Sequence, residues 1–306
     1  MRRKKGSKRV KISFVATILV LTAIALIAYS FSFRIPSYSV PANLPPYGGL
    51  MGKYAPFDSL QVSFANLTAI RTENASAVPN KQAVNLDNPE VIIRTAAVES
   101  QVFVTLLDTK SGINNTATVA VLASGPFSNL TQGLLHSNLV PDREGMFSIY
   151  HVNDSSNGRT KGELMALIPG DSSVVFVENA ADAKATILRV LSVREGQVPS
   201  ILTVQNITRM LFTVGGTDHL AISVQNFPGE VLTSRIGLLT VDATGGRVQL
   251  THVVQFASPN LAGSQVGRVQ AVYRFASDFS QWEECIKAVE TLGFSNLQGV
   301  VHLAGV

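Results

Sequence analysis

The chain opens on one unbroken apolar run and then alternates short apolar segments with polar ones. From Ile12 to Phe33 there are 22 residues without a charge, ISFVATILVLTAIALIAYSFSF. At about 1.5 Å per residue such a helix spans roughly 33 Å, against a bilayer hydrocarbon core of about 30 Å. The pattern predicts one transmembrane helix over residues 12–33. A cleaved signal peptide would have a shorter apolar region ending at a small-x-small site. The best candidate for that site, Ala28-Tyr29-Ser30, is poor, so an anchor is the better reading.

Residues 36–56 hold five of the 13 prolines: Pro36, Pro41, Pro45, Pro46 and Pro56. Proline interrupts helices and favours extended backbone. Residues 34–55 are therefore expected to form a stiff stalk.

Beyond the stalk, β-branched and aromatic residues cluster into short runs bounded by Gly, Asn, Asp or Pro, which is the strand signature. These runs predict strands over Leu60–Phe64, Val102–Leu107, Thr118–Leu122, Phe147–Val152, Val174–Val177, His219–Val224, Ile236–Val241, Val248–Phe256, Val266–Phe275 and Val300–Leu303. Thr244, Gly245 and Gly246 suit a hairpin turn. In the arm that follows, Val248, Leu250, His252, Val254 and Phe256 would share one face. Helices are predicted over Ser128–His136, Ala181–Val193 and Phe279–Leu292. The last has Asp278 as its N-cap and Phe279, Trp282, Ile286 and Val289 at helical spacing. Antiparallel strands with packed helices define an α+β ectodomain.

Two short motifs suggest related units over residues 56–160 and 161–306. Pro56-x-Asp58-Ser59-x-x-Val62 recurs as Pro169-x-Asp171-Ser172-x-x-Val175, with Asn66 and Asn179 at the same offset. A helix after Phe127-Ser128, with a strand opening at Gly145, is matched by one after Phe279-Ser280, with Gly299. Each unit would bury one sheet face under a helix.

Charge fixes the orientation. Residues 1–11 carry seven cations, and no acid precedes Asp58. The remainder has 25 − 7 = 18 basic groups against 21 acidic ones, a net of −3. Loop bias therefore predicts a cytoplasmic tail over residues 1–11 and an extracytoplasmic C-terminal domain. It also removes the basic face that a nucleic-acid-binding domain needs.

The single cysteine, Cys285, cannot form an intramolecular disulfide and is expected to be a small buried apolar residue. Six N-x-[ST] triplets, at Asn66, Asn74, Asn114, Asn129, Asn153 and Asn206, all follow the anchor. Asn66, Asn74, Asn114 and Asn153 are the glycosylation candidates. Asn129 and Asn206 sit near apolar runs and are the poorest acceptors.

The common catalytic constellations do not appear. There is no G-x-S-x-G and no G-x-G-x-x-G opening a helix. Gly48-Gly49-Leu50-Met51-Gly52-Lys53-Tyr54 is one residue too short for a phosphate loop and has Tyr54 where a hydroxyl should reach magnesium. His136, His151, His219, His252 and His302 include no i, i+4 pair. Asp218-His219 reads as a loop charge beside a strand, and His252 as a hydrogen-bonded core histidine. Asp58 and Asp171 read as turn-fixing residues. Glu283 and Glu284 read as a solvated helix face.

No catalytic, cofactor or metal residue is assigned, and the balance leans against an enzyme. The leading expectation is a single-pass cell-surface protein anchored in the bilayer through residues 12–33. Its ectodomain would bind an envelope protein or glycan or play a structural part. The alternatives are an accessory subunit of a membrane secretion or transport complex, and an envelope hydrolase of unfamiliar type.

Overall fold

The computed structural model describes residues 47–73, 98–107, 116–123, 130, 134, 139–152, 162–168, 173–180, 182–214, 219–227, 231–241 and 247–293. The expected tail, the transmembrane helix, the strand at Val300–Leu303 and the hairpin turn at Thr244–Gly246 lie outside these residues. Among the described residues, no helix is long and apolar enough to cross a membrane.

The strands are β1 (Gln61–Asn66), β2 (Ser100–Leu107), β3 (Thr116–Ala123), β4 (Asp142–Glu144), β5 (Phe147–His151), β6 (Gly162–Ile168) and β7 (Ser173–Ala180), followed by β8 (His219–Asn226), β9 (Leu232–Val241), β10 (Arg247–Phe256), β11 (Asp278–Trp282) and β12 (Cys285–Gly293). They form one antiparallel sheet in the order β11-β12-β10-β9-β8-β1-β2-β3-β7-β6-β5-β4. The helices are α1 (Tyr47–Tyr54), α2 (Leu67–Glu73), α3 (Ala183–Arg194), α4 (Gln205–Val214) and α5 (Pro259–Val272), with a 3₁₀ turn at Ile201–Thr203. The α+β class expected from the pattern is what the chain adopts.

Side-chain alternation divides the core between the two faces of the sheet. On one face Val62, Phe64, Val104, Val177, Ile222, Val224 and Ile236 pack against α1, α3, α4 and the 3₁₀ turn. On the other, Ala65, Met165, Phe176, Ala221, Leu239 and Val248 pack with Leu67 and Ile70 of α2, and with Leu130 and Leu134. A third cluster lies between β10, β12 and α5. Burial of both faces explains why several strands read as continuous apolar runs rather than as clean alternation.

Two meanders, β1-β2-β3 and β8-β9-β10, meet where β1 pairs antiparallel with β8. In each half the final strand returns to the third one: β7 pairs with β3, and β12 with β10. A side-chain chain crosses the junction: Gln225 Nε2 donates to Gln61 Oε1 at 3.4 Å, Gln61 Nε2 to Ser63 Oγ at 3.4 Å, and Ser63 Oγ to Ser223 Oγ at 3.5 Å. The counterpart of β1 is thus β8. The Pro56 and Pro169 motifs instead lead into β1 and β7, which hold different places in the sheet. The boundary expected near residue 160 does not divide it either, because β6 pairs with β5, and β7 with β3.

Three expectations are corrected. Val266–Phe275 lies mostly in a helix, α5, and not in a strand. Phe279–Leu292 is the β11–β12 hairpin and not a helix, so Asp278 begins a strand and caps nothing. Residues 47–54, placed in the stalk, form α1, whose Met51 and Tyr54 are fully buried.

By contrast, the helix expected over Ala181–Val193 is present as α3. Its N-cap is Asp182, whose Oδ1 accepts from the Ala185 backbone N–H at 3.0 Å. Asp182→Ala is expected to lower stability by about 1 kcal/mol, read as a lower urea midpoint with an unchanged slope.

Candidate functional site

The most chemically distinctive region lies where α5 crosses the β9–β10 end of the sheet. Ser258 is extended, and its Oγ accepts from the Leu261 N–H at 3.4 Å, with Pro259 opening the helix. This is a strong start signal: a capping hydroxyl followed by a proline whose missing N–H costs nothing there. Leu261, Ala262, Val266, Val269 and Tyr273 then recur at helical spacing and face the third core cluster.

The neighbouring hairpin forms around a two-residue loop, Glu283-Glu284, because Trp282 pairs with Cys285. Glu283 has φ 48°, a left-handed conformation that non-glycine residues rarely adopt. Arg209 on α4 pairs with Glu283, and its Nη1 lies 3.7 Å from Glu284 Oε1. Gln255 Nε2 donates to Glu284 Oε1 at 3.2 Å, and Ser234 Oγ donates to Gln255 Oε1 at 2.7 Å. The two glutamates are therefore a clamped turn and not a solvated helix face.

Between α5 and the sheet lies an open groove of about 650 Å³. Leu232, Val254, Phe256, Val269 and Tyr273 line it, with Val231 and Val272 at an exposed edge. Arg235 and Arg268 enter the same groove from β9 and α5. Arg235 is the cross-strand partner of Val254, which sets it on the groove face of the sheet. Neither arginine makes an ion pair with any described residue. Apart from Gln265 and the two arginines the walls are apolar, so among the described residues the cations face a largely apolar groove.

Beneath the groove sits His252, on the shared face of β10 that the alternation predicts. Its ring stacks on Tyr273 with centroids 4.3 Å apart. It is buried as expected, but its Nδ1 has no hydrogen-bond partner among the described residues. Burial lowers its pKa to about 4, with the Arg235 charge acting in the same direction. Burial likewise raises the pKa of Tyr273. At neutral pH His252 is an uncharged part of the floor.

The other candidate residues do not converge. Asn66 ends β1, and its Oδ1 accepts from the Ala69 N–H at 2.9 Å, capping α2. It also lines a second cavity of about 670 Å³ with Lys53, Tyr54, Thr68 and Glu99. Asn206 is exposed on α4. Asn74, Asn114, Asn129, Asn153, His136, His302, Asp171 and Asp218 lie outside the described residues. Asp58 pairs with Arg189 of α3, while Ser59 Oγ fixes the turn by donating to the Pro56 carbonyl at 2.6 Å. His151 lies 3.4 Å from Asp142, on an exposed cluster where Lys184 also meets Glu144 at 2.5 Å. Lys184 has its pKa raised, chiefly by that hydrogen bond. Cys285 is buried, as expected, and burial pushes its thiol up to about 11, so it stays protonated. Among the described residues, no group of three or more His, Cys, Asp or Glu could hold a metal ion.

Arg235, Arg268 and Tyr273 were not singled out by the sequence. Reading Val266–Phe275 as a strand placed Arg268 and Val269 on opposite faces of a sheet. The available signal was Ser258-Pro259, which starts a helix and brings Arg268, Val269 and Tyr273 over β9 and β10.

No described family matches the chain, and no curated protein matches it. Among solved structures it is similar to crystal form I of TP0453, at 10% identity with a TM-score of 0.49, over 86% of this chain and 99% of that one. It is also similar to crystal form III of TP0453, at 10% identity with a TM-score of 0.49, over 87% of this chain and 100% of that one.

Proposed function

We propose that the chain is a single-pass membrane protein whose extracytoplasmic α+β domain works by binding and not by catalysis. The observation that carries this reading is the placement of seven cations directly before an uncharged 22-residue apolar run, ahead of a domain with a net charge of −3. The geometry supports the binding half. The groove under α5 offers apolar walls and two arginines, whereas His252 is neutral and enclosed and Cys285 stays a thiol. An envelope component is the natural class of partner for a domain held at a membrane surface.

The orientation can be read with cysteine labelling in intact cells. Cys285 is buried, so it contributes little background. Ser264 is exposed on α5. A membrane-impermeant maleimide is expected to label Ser264→Cys in whole cells and Ser7→Cys only after lysis. Labelling of Ser7→Cys in whole cells, or protection of both until lysis, would overturn the topology.

A further inference from the structure

We propose that the groove between α5 and β9–β10 binds a single hydrocarbon chain ending in a carboxylate or phosphate, drawn from the adjoining membrane, with Arg235 and Arg268 holding the anionic end. This rests on the binding reading above but not on the orientation of the tether.

The argument is one of shape and charge. The volume, about 650 Å³, falls within the range of about 300–1,000 Å³ typical of small-molecule sites. Val254, Phe256 and Val269 give it a floor that would prefer methylene groups to water. Val231 and Val272, 56% and 66% exposed, extend that apolar surface to the edge. A purely apolar partner would leave half-buried Arg235 against a dry surface, which costs free energy unless it is paired, and would make no use of Arg268, exposed at the groove's helical edge. The guanidinium fork suits carboxylate and phosphate oxygens. An acidic peptide would satisfy the arginines but would bring a row of backbone amides into a groove where, besides the arginines, only Gln265 and Tyr273 carry polar side-chain groups. A hydrocarbon chain with one anionic end satisfies both parts.

The test uses the full chain in its own membranes and two photoactivatable probes. One is a diazirine-bearing long-chain fatty acid, the other the matching alcohol. After irradiation, peptide mass spectrometry locates the adducts. The acid is expected to mark residues 231–235, 254–256 and 265–273 at least fivefold more than the alcohol does. Arg235→Gln/Arg268→Gln should lose that preference. Val272→Glu, at an exposed position where folding is not at stake, should weaken labelling by the acid. Equal labelling by acid and alcohol would overturn the proposal, because the arginines would then select nothing. So would adducts confined to other parts of the domain. Cross-links from Val272→Cys to residues 294–306 or to another protein, with no lipid adduct, would replace the proposed occupant. Failure of the maleimide topology test would leave this result standing, and the converse also holds.

Discussion

Replacing Met51 and Tyr54 together by alanine is expected to unfold the domain or leave it barely folded at room temperature. Both side chains are fully buried and belong to the largest core cluster, although the segment carrying them looks like linker. The helix is also tied down through its backbone. Ser200 Oγ donates to the Met51 carbonyl at 3.3 Å, and the Ile201 N–H donates to the Ala55 carbonyl at 2.8 Å. Truncating a buried methionine typically costs about 2–5 kcal/mol, and truncating a buried large aromatic about 3–5. The sum, roughly 5–10, is comparable to the whole stability of an ordinary domain, about 5–15 kcal/mol. Urea unfolding and trypsin resistance of the purified protein would report the loss. Gly49→Ala is the diagnostic partner. Its added methyl would meet nothing within 4 Å, and alanine in a helix is favoured over glycine by about 1 kcal/mol. A stabilised Gly49→Ala beside a collapsed Met51→Ala/Tyr54→Ala is the signature of a docked helix. Two near-neutral results would restore the stalk over all of residues 34–55.

Much of the sheet was legible because its strands carry their own local signal. The runs that became β1, β2, β3, β5, β7, β8, β9 and β10 are rich in Val, Ile, Phe and Thr and are bounded by turn residues. The failures have separate causes: packing that no local pattern contains, a start signal passed over, and a chance spacing. Gly48, Gly49 and Gly52 make α1 a poor helix in isolation, and it forms because Met51 and Tyr54 have a core to enter. Val266, Val269 and Val272 look like strand residues, yet the Ser258-Pro259 start and the stripe ending at Tyr273 made the helix. Phe279, Trp282, Ile286 and Val289 fell at helical spacing by coincidence. The true turn, Glu283-Glu284, lacks the Asn or Gly that usually marks one. Arg209, from a different part of the chain, pairs with both glutamates, and no local reading of the turn includes it. The groove was invisible because its helical wall, α5, was read as a strand and because Arg235 lies just before the strand expected over Ile236–Val241.

Acidification is expected to destabilise the domain between about pH 6.5 and pH 4, with His252 as a principal cause. In the folded chain burial lowers its pKa to about 4, while the unfolded chain has the ordinary value of 6.5. Between those values the unfolded chain binds a proton that the native one refuses. Stability therefore rises with pH through this window and is fully present above about 6.5. The gap amounts to about 3 kcal/mol, most of it lost by pH 4. The groups around the ring explain why the native state cannot take the proton. Tyr273 covers one side from α5, Gly237 is its cross-strand neighbour on β9 and Ala288 its neighbour on β12, and Arg235 contributes a like charge. Glu290, further along β12, is the nearby acid that acts on Tyr273. His252→Phe keeps the stack on Tyr273 and removes both the titration and the unpartnered Nδ1. Its urea stability is expected to be nearly flat from pH 6.5 to 5, where the parent chain loses about 1 kcal/mol per pH unit. Equal slopes in the two chains would show that the histidine is protonated or solvated in the native state. An anionic ligand beside Arg235 would offset the charge that disfavours His252 protonation. The parent's acid sensitivity should therefore shrink when the groove is occupied, whereas that of His252→Phe should not change.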